Sequence, residues 1–131
     1  MSRPVVVVEP GGGQRVGNVE FLARTADTPY FNLAIVVLAP GQGVSSHRHH
    51  DEDDSWLVLD GLLSVTVGED AREVQAGPGT YVLVPADTPH ALLNAGDRDV
   101  RLLNVHAPGG FDRRIGIDER QERTPRGTLG A

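Results

Sequence analysis

Three histidines and four acidic residues lie within eight consecutive positions of this 131-residue chain. Alternate side chains of an extended strand point the same way, so His47 and His49 are expected to project from one face and His50 from the other. Two imidazoles on one face can bind a single metal ion, but one strand cannot complete the coordination sphere. The segment therefore predicts part of a metal site whose remaining ligands come from elsewhere.

A carboxylate and a third imidazole are candidates for those remaining ligands. The acidic run ends at Asp54 and is followed by an apolar strand, in which regular alternation places Asp54, Trp56 and Val58 on one face. His90 stands alone in an apolar stretch, an unusual position for a charged imidazole exposed to solvent. Nitrogen and oxygen ligands suit iron(II), manganese, nickel, copper(II) or zinc. The alternative interpretation is that the acidic run is a solvated, charged turn.

Residues 41–61 contain a longer pattern around the histidine pair. The pattern is Gly, five residues, His-x-His, four residues, an acidic residue, six residues and Gly, and its fixed positions are Gly41, His47, His49, Asp54 and Gly61. It resembles the first motif of the cupin superfamily, in which the acidic position is glutamate. Aspartate is one methylene shorter, so Asp54 could coordinate the metal directly, act through water, or leave a site of three histidines.

Residues 79–94 resemble the second cupin motif, which is Gly, five residues, Pro-x-Gly, two residues, His, three residues and Asn. The matching positions are Gly79, Pro85, His90 and Asn94. Asp87 replaces the glycine, a change that a turn tolerates because aspartate can adopt the left-handed conformation. With the run 47–54 and Pro108–Phe111, the chain is most similar to small quercetin-dioxygenase-like bacterial cupins.

The resemblance implies an all-β double-stranded β-helix, a jelly-roll barrel with one divalent metal ion per chain inside one end. The implied ligands are His47, His49, His90 and Asp54, and the ion would be Fe, Mn, Ni, Cu or Zn. The residues independently favour this fold class, because 25 glycines and prolines separate short runs rich in β-branched residues. We expect one domain over residues 1–111, followed by a charged tail over 112–131 that covers the barrel or is partly disordered.

Composition excludes several classes of function. The chain has no cysteine, which excludes thiolate chemistry and sulfur ligands, and no lysine, which excludes Schiff-base catalysis. The net charge is −6 and the arginines are scattered, so no nucleic-acid surface is expected. No apolar run is long enough for a membrane span and no leader pattern is present, so a cytoplasmic location is expected. The short apolar strands predicted at 5–8 and 19–24 leave sheet edges that favour a homodimer.

The expected partner of the site is a small, largely apolar or aromatic molecule with an enolic or phenolic oxygen. Trp56, Val58 and Leu92 are the predicted pocket residues, and Asp54 and His106 are the candidate groups for proton transfer. The leading hypothesis is oxygenation, weighted by the resemblance. The alternatives are an isomerase or epimerase that uses the metal as a Lewis acid, and a cupin that binds a small molecule without catalysis.

Overall fold

The computed structural model describes residues 2–117 and 128–129, and almost all regular secondary structure in these residues is β-strand. The strands are β1 (Val5–Val6), β2 (Gln14–Val16), β3 (Val19–Ala23), β4 (Asn32–Leu38), β5 (Gly43–His47), β6 (Asp53–Asp60), β7 (Leu63–Val67), β8 (Arg72–Ala76), β9 (Tyr81–Val84), β10 (His90–Leu93), β11 (Val100–Ala107) and β12 (Thr128–Leu129). A single turn of helix, α1 (Phe111–Arg114), follows β11. β-Branched and aliphatic residues dominate the longer strands, as their fit to a pleated, half-buried surface requires.

Two antiparallel sheets build the barrel. One sheet has six strands in the order β2-β3-β4-β11-β6-β9, and the other has four in the order β5-β10-β7-β8. β1 and β12 form a separate two-stranded ribbon. Strands that are distant in sequence are neighbours in both sheets, which is the connectivity of a jelly roll. The expected double-stranded β-helix is confirmed.

The hydrophobic core lies between the two sheets. Trp56, Val58 and Leu102 of the larger sheet pack with Leu63 and Val65 of the smaller one, and all five side chains are buried. The alternation expected along β6 is observed in part, because Asp54, Trp56 and Val58 are all buried, but Ser55 is buried as well. The inward face of β6 therefore carries one buried polar residue, Asp54, which lies at the end of the barrel beyond the hydrophobic core.

Two backbone positions next to the barrel opening have specific conformational demands. A Cβ atom on Gly43 would lie 2.2 Å from the carbonyl oxygen of Leu92, so only glycine allows β5 to approach β10 this closely. Asp87 has a φ of 66°, the left-handed conformation expected at the position where it replaces glycine. Both positions lie on segments that carry candidate metal ligands.

The start of the predicted tail packs against the barrel. Asp112 and Ile117 are buried, and the Asp112 carboxylate accepts hydrogen bonds from the Thr25 backbone N–H at 2.8 Å and the Thr25 hydroxyl at 2.6 Å. These bonds fix α1 over the end of the larger sheet. Residues 118–127 and 130–131, on which the rest of the expectation for the tail depends, lie outside the described residues.

Candidate metal centre

Strand register brings residues from distant parts of the sequence to one end of the barrel. His90 on β10 is the direct partner of His47 on β5, and His106 on β11 is the direct partner of Asp54 on β6. Cross-strand partners have Cβ atoms about 5 Å apart, so each pair places two functional side chains side by side. His49 joins them from the segment that follows β5.

Four side chains converge closely enough to bind one metal ion. The ligand atoms of His47, His49, Asp54 and His90 all lie within 4.8 Å of one another. Asp54 Oδ2 is 3.2 Å from His90 Nε2 and 3.4 Å from His49 Nε2. The imidazole rings of His47 and His90 meet edge to face, with centroids 4.3 Å apart.

The imidazole tautomers are fixed in the form that metal binding requires. His47 Nδ1 lies 2.8 Å from the Ser45 carbonyl oxygen, and His90 Nδ1 lies 2.9 Å from the Thr88 carbonyl oxygen. A carbonyl can only accept a hydrogen bond, so both Nδ1 atoms donate. In the neutral form of each ring the lone pair is then on Nε2, the nitrogen with which histidines usually bind metals when Nδ1 donates to a carbonyl.

His49 supplies an independent test of whether these residues fit a metal ion. The Nε2 atom of His49 is fully buried and makes no hydrogen bond, and among residues 2–117 it is the one buried side-chain polar atom of this kind. Burying a polar atom without a partner costs about 1–3 kcal/mol, so such atoms indicate a ligand or a functional role. An unpaired nitrogen aimed at a carboxylate and two imidazoles fits a divalent cation.

Electrostatics favour the protonation states of a metal site. Burial raises the pKa of Asp54, but His49, His90 and the Asn104 amide outweigh that effect and hold the pKa well below its usual range. The Asn104 amide donates to Asp54 Oδ1 at 2.7 Å. Burial lowers the pKa of His47. Asp54 is therefore an anion and His47 is neutral at pH 7, as metal coordination requires. His90 differs, because burial lowers its pKa but the hydrogen bond to Asp54 outweighs burial and raises it, so a metal ion has to displace a proton from His90.

The local geometry of the histidine segment differs from the expected strand. β5 ends at His47, so His49 and His50 lie outside regular β-structure. His49 nevertheless points into the cluster, whereas His50 is exposed and its Nδ1 lies 2.5 Å from Asp87 Oδ1. His49 and His50 therefore point in different directions, as predicted, although they do not belong to a continuous strand.

A cavity of about 160 Å³ opens beside the cluster. Two of the predicted pocket residues, Trp56 and Leu92, line it together with Val36, Leu38 and Phe111. The third predicted residue, Val58, does not line it and belongs to the hydrophobic core. Alternation places Val58 on the same face as Trp56 but one step farther along β6, where the barrel is filled by side chains.

His106 lies on the wall of this cavity, with Nε2 located 3.3 Å from Asp54 Oδ1. Its other nitrogen, Nδ1, lies 2.7 Å from Glu52 Oε1, and both side chains are buried. Burial lowers the pKa of His106, although Asp54 and Glu52 act in the opposite direction. The ring of Phe111 stacks on His106 with centroids 3.9 Å apart and an interplanar angle of 8°.

Glu52, Phe111 and Arg114 have roles at this site that the sequence did not predict. Glu52 accepts hydrogen bonds from His106 and from the Arg114 guanidinium on α1. Burial raises the pKa of Glu52, but the bonds from Arg114 and His106 outweigh it, so its pKa is lower than usual. One signal was present in the sequence, because Glu52 and Asp54 are two positions apart and therefore share a face of an extended segment.

The family assignment follows from the match between the chain and known proteins. Residues 34–106, more than half of the chain, match the family described as the Cupin domain. The chain is a cupin. Within the described residues of this cupin, no helix has the length and apolar character needed to cross a membrane.

Curated relatives match this cupin over different lengths. Mannose-1-phosphate guanylyltransferase 2 of Escherichia coli O157:H7 is 31% identical over 75 residues, which are 57% of this chain and 15% of that protein. The cupin thus spans only a small part of the length of that relative. Protein SchB of Streptomyces halstedii is 27% identical over 125 residues, covering 92% of this chain and 89% of SchB.

Solved structures share the barrel. KdgF from Halomonas sp. superposes with a TM-score of 0.65 at 20% identity and covers 76% of this chain and 88% of its own. TT1209 from Thermus thermophilus gives a TM-score of 0.64 at 25% identity and covers 79% of this chain and 98% of its own. These similarities support the fold, and the site has to be interpreted from its own residues.

Proposed function

We propose that this cupin is a metal-dependent enzyme that moves a proton at a carbon next to a carbonyl or enol oxygen, an isomerase-type reaction. The observation that carries the proposal is the buried imidazole of His106, which lies on the cavity wall beside the four candidate metal ligands and whose pKa is lowered by burial. A divalent ion bound by His47, His49, His90 and Asp54 would stabilise negative charge on the substrate oxygen as a Lewis acid.

The chain supplies the proton acceptor and the dry surroundings. His106 would take a proton from the substrate carbon and return it to a neighbouring carbon, because a neutral imidazole is matched to proton transfer near pH 7. The pKa of Asp54 is too low for this task, so we assign Asp54 to metal binding. Trp56, Leu92 and Phe111 restrict water around the reacting atoms.

The cavity lining favours a neutral substrate. No arginine lines the cavity within the described residues, and the chain contains no lysine. Phosphate and carboxylate groups are recognised mostly by arginine and lysine. We therefore infer an uncharged, compact, largely apolar molecule whose oxygen points to the cluster, and we do not extend the sugar phosphate named in the guanylyltransferases to this cupin.

A direct test is solvent deuterium exchange. The purified protein, loaded with zinc or manganese, is incubated without oxygen in D₂O with a panel of cyclic diketones, enols and phenols, and exchange is followed by ¹H NMR. Deuterium should enter at the carbon next to the oxygen-bearing carbon. His106→Ala should slow the exchange by about 10²–10⁴-fold, the usual contribution of a general acid or base, with metal content unchanged.

Oxygenation is the second candidate, favoured by the ligand set. Three imidazoles and one carboxylate leave positions open on the ion and suit redox-active metals such as iron, manganese, nickel and copper. Conversion of the same panel with stoichiometric oxygen uptake, and without anaerobic exchange, would replace the isomerase proposal by this one. Saturable binding without exchange or conversion would identify a non-catalytic binding protein.

A further inference from the structure

His106 has two ring nitrogens in different surroundings. Nδ1 is directed at Glu52 Oε1 at 2.7 Å, whereas Nε2 faces the four candidate metal ligands and lies 3.3 Å from Asp54 Oδ1. A neutral imidazole carries its proton on only one of these nitrogens, and only the other nitrogen can act as a base. The tautomer of His106 therefore decides whether the base faces the cavity or the protein interior.

The surroundings of Glu52 decide that tautomer. The Arg114 guanidinium contacts both carboxylate oxygens, with NH1 3.1 Å from Oε2 and NH2 in close contact with Oε1. A guanidinium can only donate hydrogen bonds and stays charged, so it holds Glu52 as an acceptor. The hydrogen between Glu52 and His106 consequently belongs to His106 Nδ1.

Asp54 does not require a hydrogen from His106. Its Oδ1 atom already accepts a 2.7 Å hydrogen bond from the Asn104 amide, which also donates to the Ser55 carbonyl oxygen at 3.0 Å. Its Oδ2 atom faces His90 Nε2 at 3.2 Å. Asn104 therefore satisfies Oδ1, the carboxylate oxygen that lies next to His106, whereas Oδ2 faces the side on which a metal ion would bind, so the Nε2 lone pair of His106 remains unused.

The orientation of the ring is fixed from a second direction. Phe111 stacks in parallel on the His106 ring, and the Arg114 guanidinium carbon lies 5.6 Å from the Phe111 ring centroid. Both residues belong to α1, which the buried carboxylate of Asp112 ties to Thr25. The short helix thus supports both the position of Glu52 and the plane of His106.

We propose that Glu52 is a positioning residue that holds His106 in the tautomer protonated on Nδ1, with Arg114 fixing Glu52 as the acceptor. Nε2 is then presented to the cavity as an unprotonated base. The assignment of that base to catalysis rests on the function proposed above, whereas the tautomer itself is a property of the protein without substrate. The two can therefore fail separately.

The test is long-range ¹H–¹⁵N NMR of the histidine rings, which distinguishes a protonated ring nitrogen from an unprotonated one. Spectra are recorded on metal-free and zinc-loaded protein near pH 7.5, with His106 assigned by the loss of its signals in His106→Gln. We expect the proton of His106 on Nδ1 in both forms. A proton found on Nε2 in the unmodified protein would overturn the proposal whatever the variants show.

Glu52→Gln should change this signature. Arg114 would bind the amide oxygen and leave the amide NH₂ directed at His106 Nδ1, so the proton of His106 should move to Nε2. The matched control is Glu69→Gln, which removes the same charge from an exposed residue that pairs with Arg48 at 2.9 Å. The control should retain the signature of the unmodified protein, and retention in Glu52→Gln as well would refute the positioning role.

Turnover and metal content separate this inference from the proposed function. With a substrate found by deuterium exchange, Glu52→Gln should lower kcat by about 10²–10⁴-fold, as expected when a general base is lost. Zinc per protomer should be unchanged if the ion is held by His47, His49, Asp54 and His90, whereas loss of zinc would place the ion at the neighbouring group of His49, Glu52 and His106 and refute the positioning role. One outcome would support the positioning role and reject the proposed reaction. In that outcome the proton of His106 moves to Nε2 in Glu52→Gln, but the unmodified protein catalyses no deuterium exchange.

Discussion

His90→Ala is the substitution that tests the metal centre most directly. His90 is buried, its Nδ1 is bonded to the Thr88 carbonyl oxygen, and its Nε2 is 3.2 Å from Asp54 Oδ2. Losing a group that only orients a metal ligand costs about 10–100-fold in metal affinity. Losing a ligand itself should cost at least about 100-fold, which corresponds to about 2.8 kcal/mol at 1.4 kcal/mol per tenfold change.

The substitution should leave the barrel folded. His90→Ala removes the hydrogen-bond donor of the half-buried Thr88 carbonyl oxygen and a neighbour of the buried Asp54 carboxylate, and leaving a buried acceptor without a partner costs about 1–3 kcal/mol. The free energy of unfolding of a small domain is about 5–15 kcal/mol, so the variant should retain its β-rich circular dichroism at 25 °C. Zinc affinity is measured by competition with a chromogenic chelator, and metal content of the purified protein by elemental analysis.

Two further histidine substitutions complete this experiment. His49→Ala should lower zinc affinity as strongly as His90→Ala, because its unpaired Nε2 is part of the same cluster. His50→Ala is the control, since its side chain is exposed and bonded to Asp87. Full zinc occupancy in a folded His90→Ala protein, or loss of zinc in His50→Ala, would show that the ligands have been assigned wrongly.

Three other outcomes are expected. Asn104→Ala should lower zinc affinity by about 10–100-fold in the same chelator assay, because the amide that orients Asp54 is lost; unchanged affinity would contradict this. Zinc affinity should fall as the pH decreases from 7 to 5, because imidazole ligands bind only when neutral, and a flat profile would exclude histidine ligands. Asp112→Ala should lower the free energy of unfolding in urea by about 1–3 kcal/mol, because the Thr25 N–H and hydroxyl lose a buried acceptor. The control is Asp70→Ala at an exposed turn, which should change the free energy of unfolding by less than about 0.5 kcal/mol.

The homodimer predicted from the sequence stays a prediction. The apolar side chains of Val5, Val7 and Phe31 are exposed, and Val6 and Val8 line an open groove beside β3 and β4. Sedimentation at micromolar concentration should give about twice the chain mass of 14.0 kDa. A single species at the monomer mass would refute the dimer.

Local pattern was enough to predict the longer strands and the residues that converge at the candidate metal site. Turn residues bound the strands, and alternation along 54–58 predicted which side chains of β6 face inward. The spacing of His47, His49 and Asp54 reflects the geometry of one extended segment and its return strand, so it can be recognised in a single sequence. His90 was recognised because its isolation in an apolar stretch and the second motif indicated the same residue.

Tertiary structure decided which residues surround the four candidate metal ligands. Glu52 and His106 are 54 positions apart, and nothing local to either residue encodes their 2.7 Å contact, which depends on the pairing of β6 with β11. Phe111 and Arg114 reach His106 and Glu52 because a buried carboxylate ties α1 to Thr25. Alternation gave the correct face for Val58, but how far the core extends along that face depends on which side chains the opposite sheet contributes. The sequence by itself therefore determined which residues form the candidate metal site, whereas the orientation of the proposed base and the limits of the cavity depend on contacts between strands that are distant in the chain.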